Sequence, residues 1–283
     1  MVEDELRDRL GQAGLSRIVD EIMRLTRPCI RLDCHTTEEG ALQDGVSKLG
    51  GLPDLPAGVE WPMWREQPMA FIAQVRLDDI APFDVERALP NTGLLSCFCA
   101  VEGDLLADDD PAAWRVWHFT GEEMNTLARR TAPERLDELS RFRACAMTYA
   151  RRPTLPDVDS REVRALGLSK TERIAYVDVQ TGGDIGYLPE MDHRLLGYPY
   201  TLGGSTLLEC YVAAHGMDWH AGTRDAGELQ DAAEEAWRLL LQVYSNEEAG
   251  MDWGGGGVLH FCLPHEALRT RDFSQVWVNL QLV

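Results

Sequence analysis

The sequence predicts an α+β fold of mostly antiparallel sheet, with short hairpins and peripheral helices, read as one domain over residues 1–283. Three observations predict it. Short apolar segments recur between glycine and proline turns, which is strand-and-hairpin grammar. Helical periodicity is confined to a few stretches. Part of the C-terminal pattern also occurs upstream: Phe71-Ile72-Ala73-Gln74-Val75 is echoed by Leu239-Leu240-Leu241-Gln242-Val243, and Gly93-Leu94-Leu95-Ser96-Cys97-Phe98 by Gly257-Val258-Leu259-His260-Phe261. The echo reads as a pseudo-duplicated β-hairpin unit. The alternative is chance recurrence, because glutamine-valine pairs and glycine turns are common.

In chain order, residues 3–26 place Leu6, Leu10, Ile18, Val19, Ile22 and Leu25 at helical spacing, with a break at Gly11 and Gly14. Cys29 to Cys34 alternates as a strand. Residues 40–62 are a glycine- and proline-fixed loop containing Gly50-Gly51-Leu52-Pro53-Asp54-Leu55-Pro56 and Trp61-Pro62. Strands follow at 70–77, 94–101 and 114–119. From Pro133 to Arg151 the spacing of Leu136, Leu139, Phe142 and Met147 predicts a helix. Ser169-Lys170-Thr171-Glu172 has the form of a capping box and opens a helix to about Gln180. Leu229 to Trp237 is helical and leads into two strands joined by an acidic, tryptophan-bearing loop. A last helical turn and a closing strand end the chain.

The formal net charge is −20, a field that repels nucleic acid and anionic lipid and favours a basic partner. Only Lys48 and Lys170 are lysines, so nearly all positive charge sits on arginine. One basic island, Arg129 to Arg152, interrupts the acidity. Nucleic-acid binding would require its arginines on one face, and is not expected. No apolar run reaches membrane-spanning length, and the acidic N-terminus carries no secretory signal region. Seven irregularly spaced cysteines fit reduced thiols in a cytoplasm.

No metal or cofactor is expected. Cys29, Cys34 and His35 lack a second knuckle, and His215 and His220 are five apart, off the spacing that puts two ligands on one helix face. Asp108 to Asp110 lacks the spacing of a calcium loop, and reads as a solvated tip. The glycines 254–257 precede a strand and lack a lysine-serine pair, so they form a turn and not a phosphate loop. No nucleophile-elbow motif is present, and no catalytic residue is assigned.

The candidate binding residues are Trp61, Gln74, His193, Tyr198, Gln242, Asp252 and Trp253. The two glutamines are amides within apolar strands and need partners, either loop backbone or ligand. The others sit in fixed loops, where aromatics beside a charged group make a binding surface. Gly216-Met217-Asp218-Trp219 recurs as Gly250-Met251-Asp252-Trp253, without a physical account of the repetition.

The segment Gly50 to Pro56 with Trp61-Pro62, then Phe71 to Val75, His193-Arg194-Leu195-Leu196-Gly197-Tyr198-Pro199, Leu240 to Val243, Trp253 with its glycines, and Asp272-Phe273-Ser274 together resemble the YwqG-like family of bacterial proteins. The resemblance spans about residues 48–283. It implies a cytoplasmic α+β protein on antiparallel sheet and supplies no activity. One departure stands out: where the family commonly carries a glutamine after Gly-Tyr-Pro, this chain has Thr201-Leu202-Gly203-Gly204-Ser205. The function expected is a cytoplasmic binding protein for a basic protein or peptide, such as a toxin or effector. The alternative is an enzyme or small-ligand binder with its site between the two halves, with Asp252 or His193 as acid/base groups in the enzyme version.

Overall fold

A computed structural model of the chain describes residues 3–102, 105–106, 110–182, 192–217 and 226–282. Its main strands are β1 (Arg27–Thr36), β2 (Lys48–Leu49), β3 (Ala70–Arg76), β4 (Leu94–Cys99), β5 (Trp114–Phe119), β6 (Cys145–Thr154), β7 (His193–Leu195), β8 (Trp237–Tyr244), β9 (Val258–Pro264) and β10 (Trp277–Gln281). They form a ten-stranded sheet in the order β5-β4-β3-β2-β6-β1-β7-β8-β9-β10, antiparallel at each pairing. The helices are α1 (Glu3–Leu10), α2 (Val19–Leu25), α3 (Leu77–Ile80), α4 (Arg161–Ala165), α5 (Lys170–Gln180), α6 (Thr206–Ala214), α7 (Ala226–Ala236) and α8 (His265–Thr270). The fold is therefore α+β.

The sheet curls until its two edges meet. The Trp114 indole N–H on β5 donates to the Val276 carbonyl just before β10 at 2.6 Å, and its ring lies 5.4 Å from that of Trp277. His118 and Phe273 add an edge-to-face contact at 5.6 Å. Side chains thus cover the edges that an open sheet would leave exposed. Inside runs one continuous apolar core with Phe71, Phe98, Trp253 and Phe261 fully buried. A second, smaller core forms where Leu6, Leu10, Leu15, Ile18 and Ile22 of the N-terminal segment meet Leu155, Tyr176 and Val179. The break expected at Gly14 is present: its φ of +86° interrupts the helix between α1 and α2.

The echo in the sequence is a structural two-fold. Lys48 on β2 is the cross-strand partner of Gln74 on β3, and Arg194 on β7 is the partner of Gln242 on β8. Both glutamine strands carry a bulge at the same place, between Phe71 and Ala73 and between Leu239 and Leu241. Both short strands turn away through two consecutive positive-φ residues, Gly50 (+62°) and Gly51 (+73°), then Leu196 (+61°) and Gly197 (+72°). The first of each pair donates its N–H to the bulge residue, Gly50 to Ile72 at 2.8 Å and Leu196 to Leu240 at 3.2 Å. Lys48-Leu49-Gly50-Gly51-Leu52-Pro53 and Arg194-Leu195-Leu196-Gly197-Tyr198-Pro199 are therefore the same element. Leu196 keeps a conformation that costs an L-residue about 1 kcal/mol, held there by the burial of its side chain.

The first half is β1 to β5 and the second β6 to β10, with β1 and β6 exchanged. β6 pairs with β2 of the first half, and β1 with β7 of the second. The glutamine strands share one sheet, yet they are not neighbours: β2, β6, β1 and β7 lie between them.

One expected helix is absent. Residues 133–144 form turns and a single 3-10 turn (Glu138–Ser140), and Cys145–Thr154 is strand β6, paired along its whole length with β1. The apolar spacing of Leu136, Leu139 and Phe142 imitates a helix. Instead the Arg141 guanidinium draws the carbonyls of Pro133, Glu134 and Leu136 together, and tertiary pairing takes the rest. The capping box before α5 is present with both its hydrogen bonds. Asp108 and Asp109, Gly183 to Gly186, Asp218 and Trp219, and His220 lie outside the described residues. Among the described residues no helix is long and apolar enough to cross a membrane, and no group of three or more His, Cys, Asp or Glu is placed to hold a metal ion.

Candidate functional site

Cross-strand register gathers four side chains on one face of the sheet. Cys29 and Arg31 alternate along β1; Arg152 on β6 is the partner of Cys29, and Arg194 on β7 is the partner of Arg31. Above them lie Glu5, Leu6 and Arg9 of α1 and Val179 and Gln180 at the end of α5, with Pro199, Tyr200 and Thr201 as a further wall. Together they line a cavity of about 380 Å³.

The four arginines differ in their commitments. Arg194 is nearly buried and pairs with Asp192, while donating to the Tyr198 carbonyl at 3.3 Å. Arg31 donates to Asp33 at 2.8 Å. Arg152 has no ion pair and no side-chain hydrogen bond among the described residues, and its Nε is buried without an acceptor. Arg9 likewise has no carboxylate or hydrogen-bond partner among the described residues, and both residues line the cavity. A buried donor left unsatisfied costs about 1–3 kcal/mol; Arg130 Nε and Trp253 Nε1 share that condition, but of the three only Arg152 borders this cavity.

Two cavity walls are braced from behind. Gln242 is fully buried; its Oε1 accepts the Tyr200 N–H at 2.8 Å and its Nε2 donates to the Asp192 carbonyl at 3.0 Å. His260, the cross-strand partner of Gln242, holds the Tyr200 carbonyl through Nε2 at 2.8 Å. Burial pushes the His260 imidazole down to about 4, so it is neutral at pH 7 and Nε2 carries the proton. Cys29 also borders the cavity, but burial raises its thiol to about 11, which leaves little thiolate at neutral pH.

The equivalent location in the first half is filled by the protein itself. Gln74 repeats the pattern: its Oε1 accepts the Asp54 N–H at 2.9 Å, and its Nε2 donates to the Val46 carbonyl at 2.7 Å. Lys48, wholly buried, pairs with Glu39 at 2.9 Å and Asp54 at 3.4 Å. Arg129 reaches the same two carboxylates at 3.0 Å and three loop carbonyls. Burial alone would raise the Asp54 carboxyl; Lys48, the Gly45 N–H, Arg129 and Gln74 reverse that and hold it below the usual carboxylate range. The first half thus fills the place equivalent to Arg194 with a salt-bridge network, while Thr37 and Ala144, the counterparts of Arg152 and Cys29, border a second cavity.

The residues singled out from the sequence do not converge. Gln242 backs the cavity through Tyr200, whereas Tyr198 does not line it: its N–H bonds Thr154 Oγ1 at 2.9 Å and its ring lies 4.3 Å beneath the Arg27 guanidinium. Gln74 belongs to the closed site. His193 lies one residue from Arg194 on the opposite face of β7; its Nδ1 accepts the Tyr244 N–H at 3.2 Å, its Nε2 is 3.0 Å from the Asn246 amide, and burial lowers its pKa to about 4. Trp61 lines a second cavity of about 460 Å³ with Phe71, Leu136 and Phe142, and its indole N–H donates to Met69. Trp253 is buried edge-on against Phe142 at 5.7 Å. Asp252 is exposed and caps a turn by accepting the Gly255 N–H at 2.8 Å.

Sequence reasoning passed over Arg9, Arg31, Arg152 and Arg194. The available signal was alignment of the Lys48 and Arg194 hexapeptides, which marks a cation at the same turn of each half. The basic island is largely spent internally: Arg129, Arg141 and Arg143 all donate to backbone carbonyls.

No curated protein matches this chain. A family model described as Domain of unknown function (DUF1963) matches residues 47–281, which take in β2 to β10 and three walls of the cavity but neither α1 nor β1. The chain belongs to the DUF1963 family.

Proposed function

We propose that this chain binds a small anionic ligand in its arginine-lined cavity. One observation carries the reading: Arg152 borders the cavity with no acceptor among the described residues, in a protein whose net charge is −20. With carboxylates so abundant, an unmatched guanidinium beside a cavity is better explained by a ligand than by packing. Binding without turnover is the preferred form, because the Cys29 thiol is a weak nucleophile and His193 faces away from the cavity. The free cysteines and the YwqG-like resemblance, a finer assignment within the family, support a cytoplasmic setting.

The test is thermal and calorimetric titration with sodium phosphate against sodium chloride at matched ionic strength. Phosphate at a hundred times its Kd stabilises the wild type by about 2.7 kcal/mol, and Arg152→Gln loses that gain. No anion-specific shift, or the same shift in Arg152→Gln, would sink the reading.

A second reading, a protein or peptide partner, is favoured by the apolar cavity beside Trp61, where Phe71, Leu136 and Phe142 stand next to Glu38, with Arg141 and Arg143 on the same rim. An apolar side chain would suit it. Pull-down at low and moderate salt tests it, and loss of the captured partner in Trp61→Ala is the supporting result.

A further inference from the structure

We infer that the ligand presents a dianionic phosphate monoester group, held between Arg152 of the sheet and Arg9 of the N-terminal helix, so that α1 sets the charge selectivity of the cavity. This rests on the anion-binding reading above.

The argument begins with charge. Arg31 and Arg194 bring their own carboxylates, Asp33 and Asp192, and so add donors with little net charge. Arg152 and Arg9 have no such partner among the described residues, which leaves two guanidiniums to be matched. Glu5 also borders the cavity and has an interaction of its own. Two planar forks facing one space suit a tetrahedral group with three terminal oxygens, since each fork can engage two of them. Gln180, Thr181 and Thr201 border the same space with their donors already engaged: the Gln180 amide donates to the Pro156 carbonyl at 2.8 Å, the Thr181 hydroxyl to the Val177 carbonyl at 2.8 Å, and Thr201 bonds the Asp157 carboxyl, so the two arginines are the donors that remain.

Position argues the same way. Arg9 is held over the cavity because Leu6 and Leu10 of the same short helix are buried against Leu155 and Val179. Arg7, on another side of that helix, pairs with Asp20 at 2.5 Å instead. Arg152 and Arg194 of the cavity floor lie within the family-matched region, whereas Cys29, Arg31 and Arg9 lie outside it. The second charge is thus contributed by a segment that the family model does not include.

The experiment uses the full chain and two probes with a common ring, phenyl phosphate and benzoate, at pH 8 and constant ionic strength. Expected is a preference of roughly tenfold or more for phenyl phosphate in the wild type. Arg9→Gln brings that preference close to one while changing benzoate affinity less than about twofold, and Arg9→Lys restores most of it. Wild-type affinity for phenyl phosphate also falls as the pH drops below the second phosphate ionisation, near 6, and Arg9→Gln flattens that dependence. Arg7→Gln serves as the folding control for α1 and leaves the preference intact. An unchanged preference in Arg9→Gln, or equal affinity of the wild type for both probes, overturns the inference and leaves anion binding standing. Failure of the wild type to bind either probe, or indifference to Arg152→Gln, overturns both.

Discussion

Asp33 and Thr148 are cross-strand partners on β1 and β6, and each is the image of the other under the internal two-fold. The axis passes between them. Arg31 is to Arg194 what Ala146 is to Lys48, and the pairings Ile30–Arg151 and Thr36–Cys145 exchange under the same operation. The relation extends to loop contacts: Tyr198 N–H bonds Thr154 Oγ1, and Leu52 N–H bonds Glu39 Oε2 at the equivalent place.

The paired glutamines should be equally important to stability. Each satisfies one backbone N–H and one backbone carbonyl in a loop. Gln74→Ala and Gln242→Ala each leave those groups buried and unpaired, an expected loss of about 2–4 kcal/mol. Urea denaturation checks this, and a change below about 0.5 kcal/mol in either variant would show that loop contacts do not depend on the amide.

Gly197→Ala should destabilise more than Gly255→Ala. Both glycines have positive φ, but a methyl at Gly197 would lie 2.7 Å from Thr154 Oγ1 and 2.8 Å from Cys29 Cβ, whereas nothing lies within 4 Å at Gly255. Backbone strain of about 1 kcal/mol is common to both. The steric part adds about 1–3 kcal/mol at Gly197 alone, measurable as a difference in denaturation midpoint.

Lys48 and Arg152 should differ sharply in how much loss of charge costs. Lys48→Met leaves buried Asp54 and Glu39 short of a cation, with an expected cost of about 3–5 kcal/mol. Arg152→Gln removes a cation that satisfies nothing among the described residues, and should stay within about 0.5 kcal/mol of wild type. Comparable losses for both would mean that Arg152 has a structural duty.

The pH profile has two components of opposite sign. Burial depresses His193 and His260 to about 4, below the value of about 6.5 expected when unfolded. Their contribution is therefore present above pH 6.5 and lost as pH falls towards 4. Glu234 is raised by burial to about 7, so its contribution is present at pH 4.5 and lost as pH rises to 7. His260→Gln should flatten the acid limb by about one proton. Glu234→Gln should gain about 1–2 kcal/mol at pH 8 and nothing at pH 4.5. Chemical denaturation from pH 4.5 to 8 reads both.

The sheet was legible where its signals are local. Glycine-led apolar runs announce β4 and β9, and the shared Gln-Val ending identifies β3 and β8 as counterparts. β6 was not legible, because Phe142 and Met147 continue a helical spacing and only pairing with β1 decides the matter. The cavity was less visible still. Its arginines come from α1, β1, β6 and β7, neighbours through register and not through sequence, so no window of residues contains them. The glutamines were found because polarity inside an apolar strand is a local anomaly; their bonding to loop backbone is the structural outcome of that anomaly.

The exchange of β1 and β6 has a consequence for how the molecule comes apart. A nick between residues 120 and 144 would separate the repeats along the chain without separating them in space, since each fragment would still lodge its leading strand in the other. Neither piece could complete its own hydrogen-bonded ladder, so the two should be recovered as an interlocked complex that only denaturant releases.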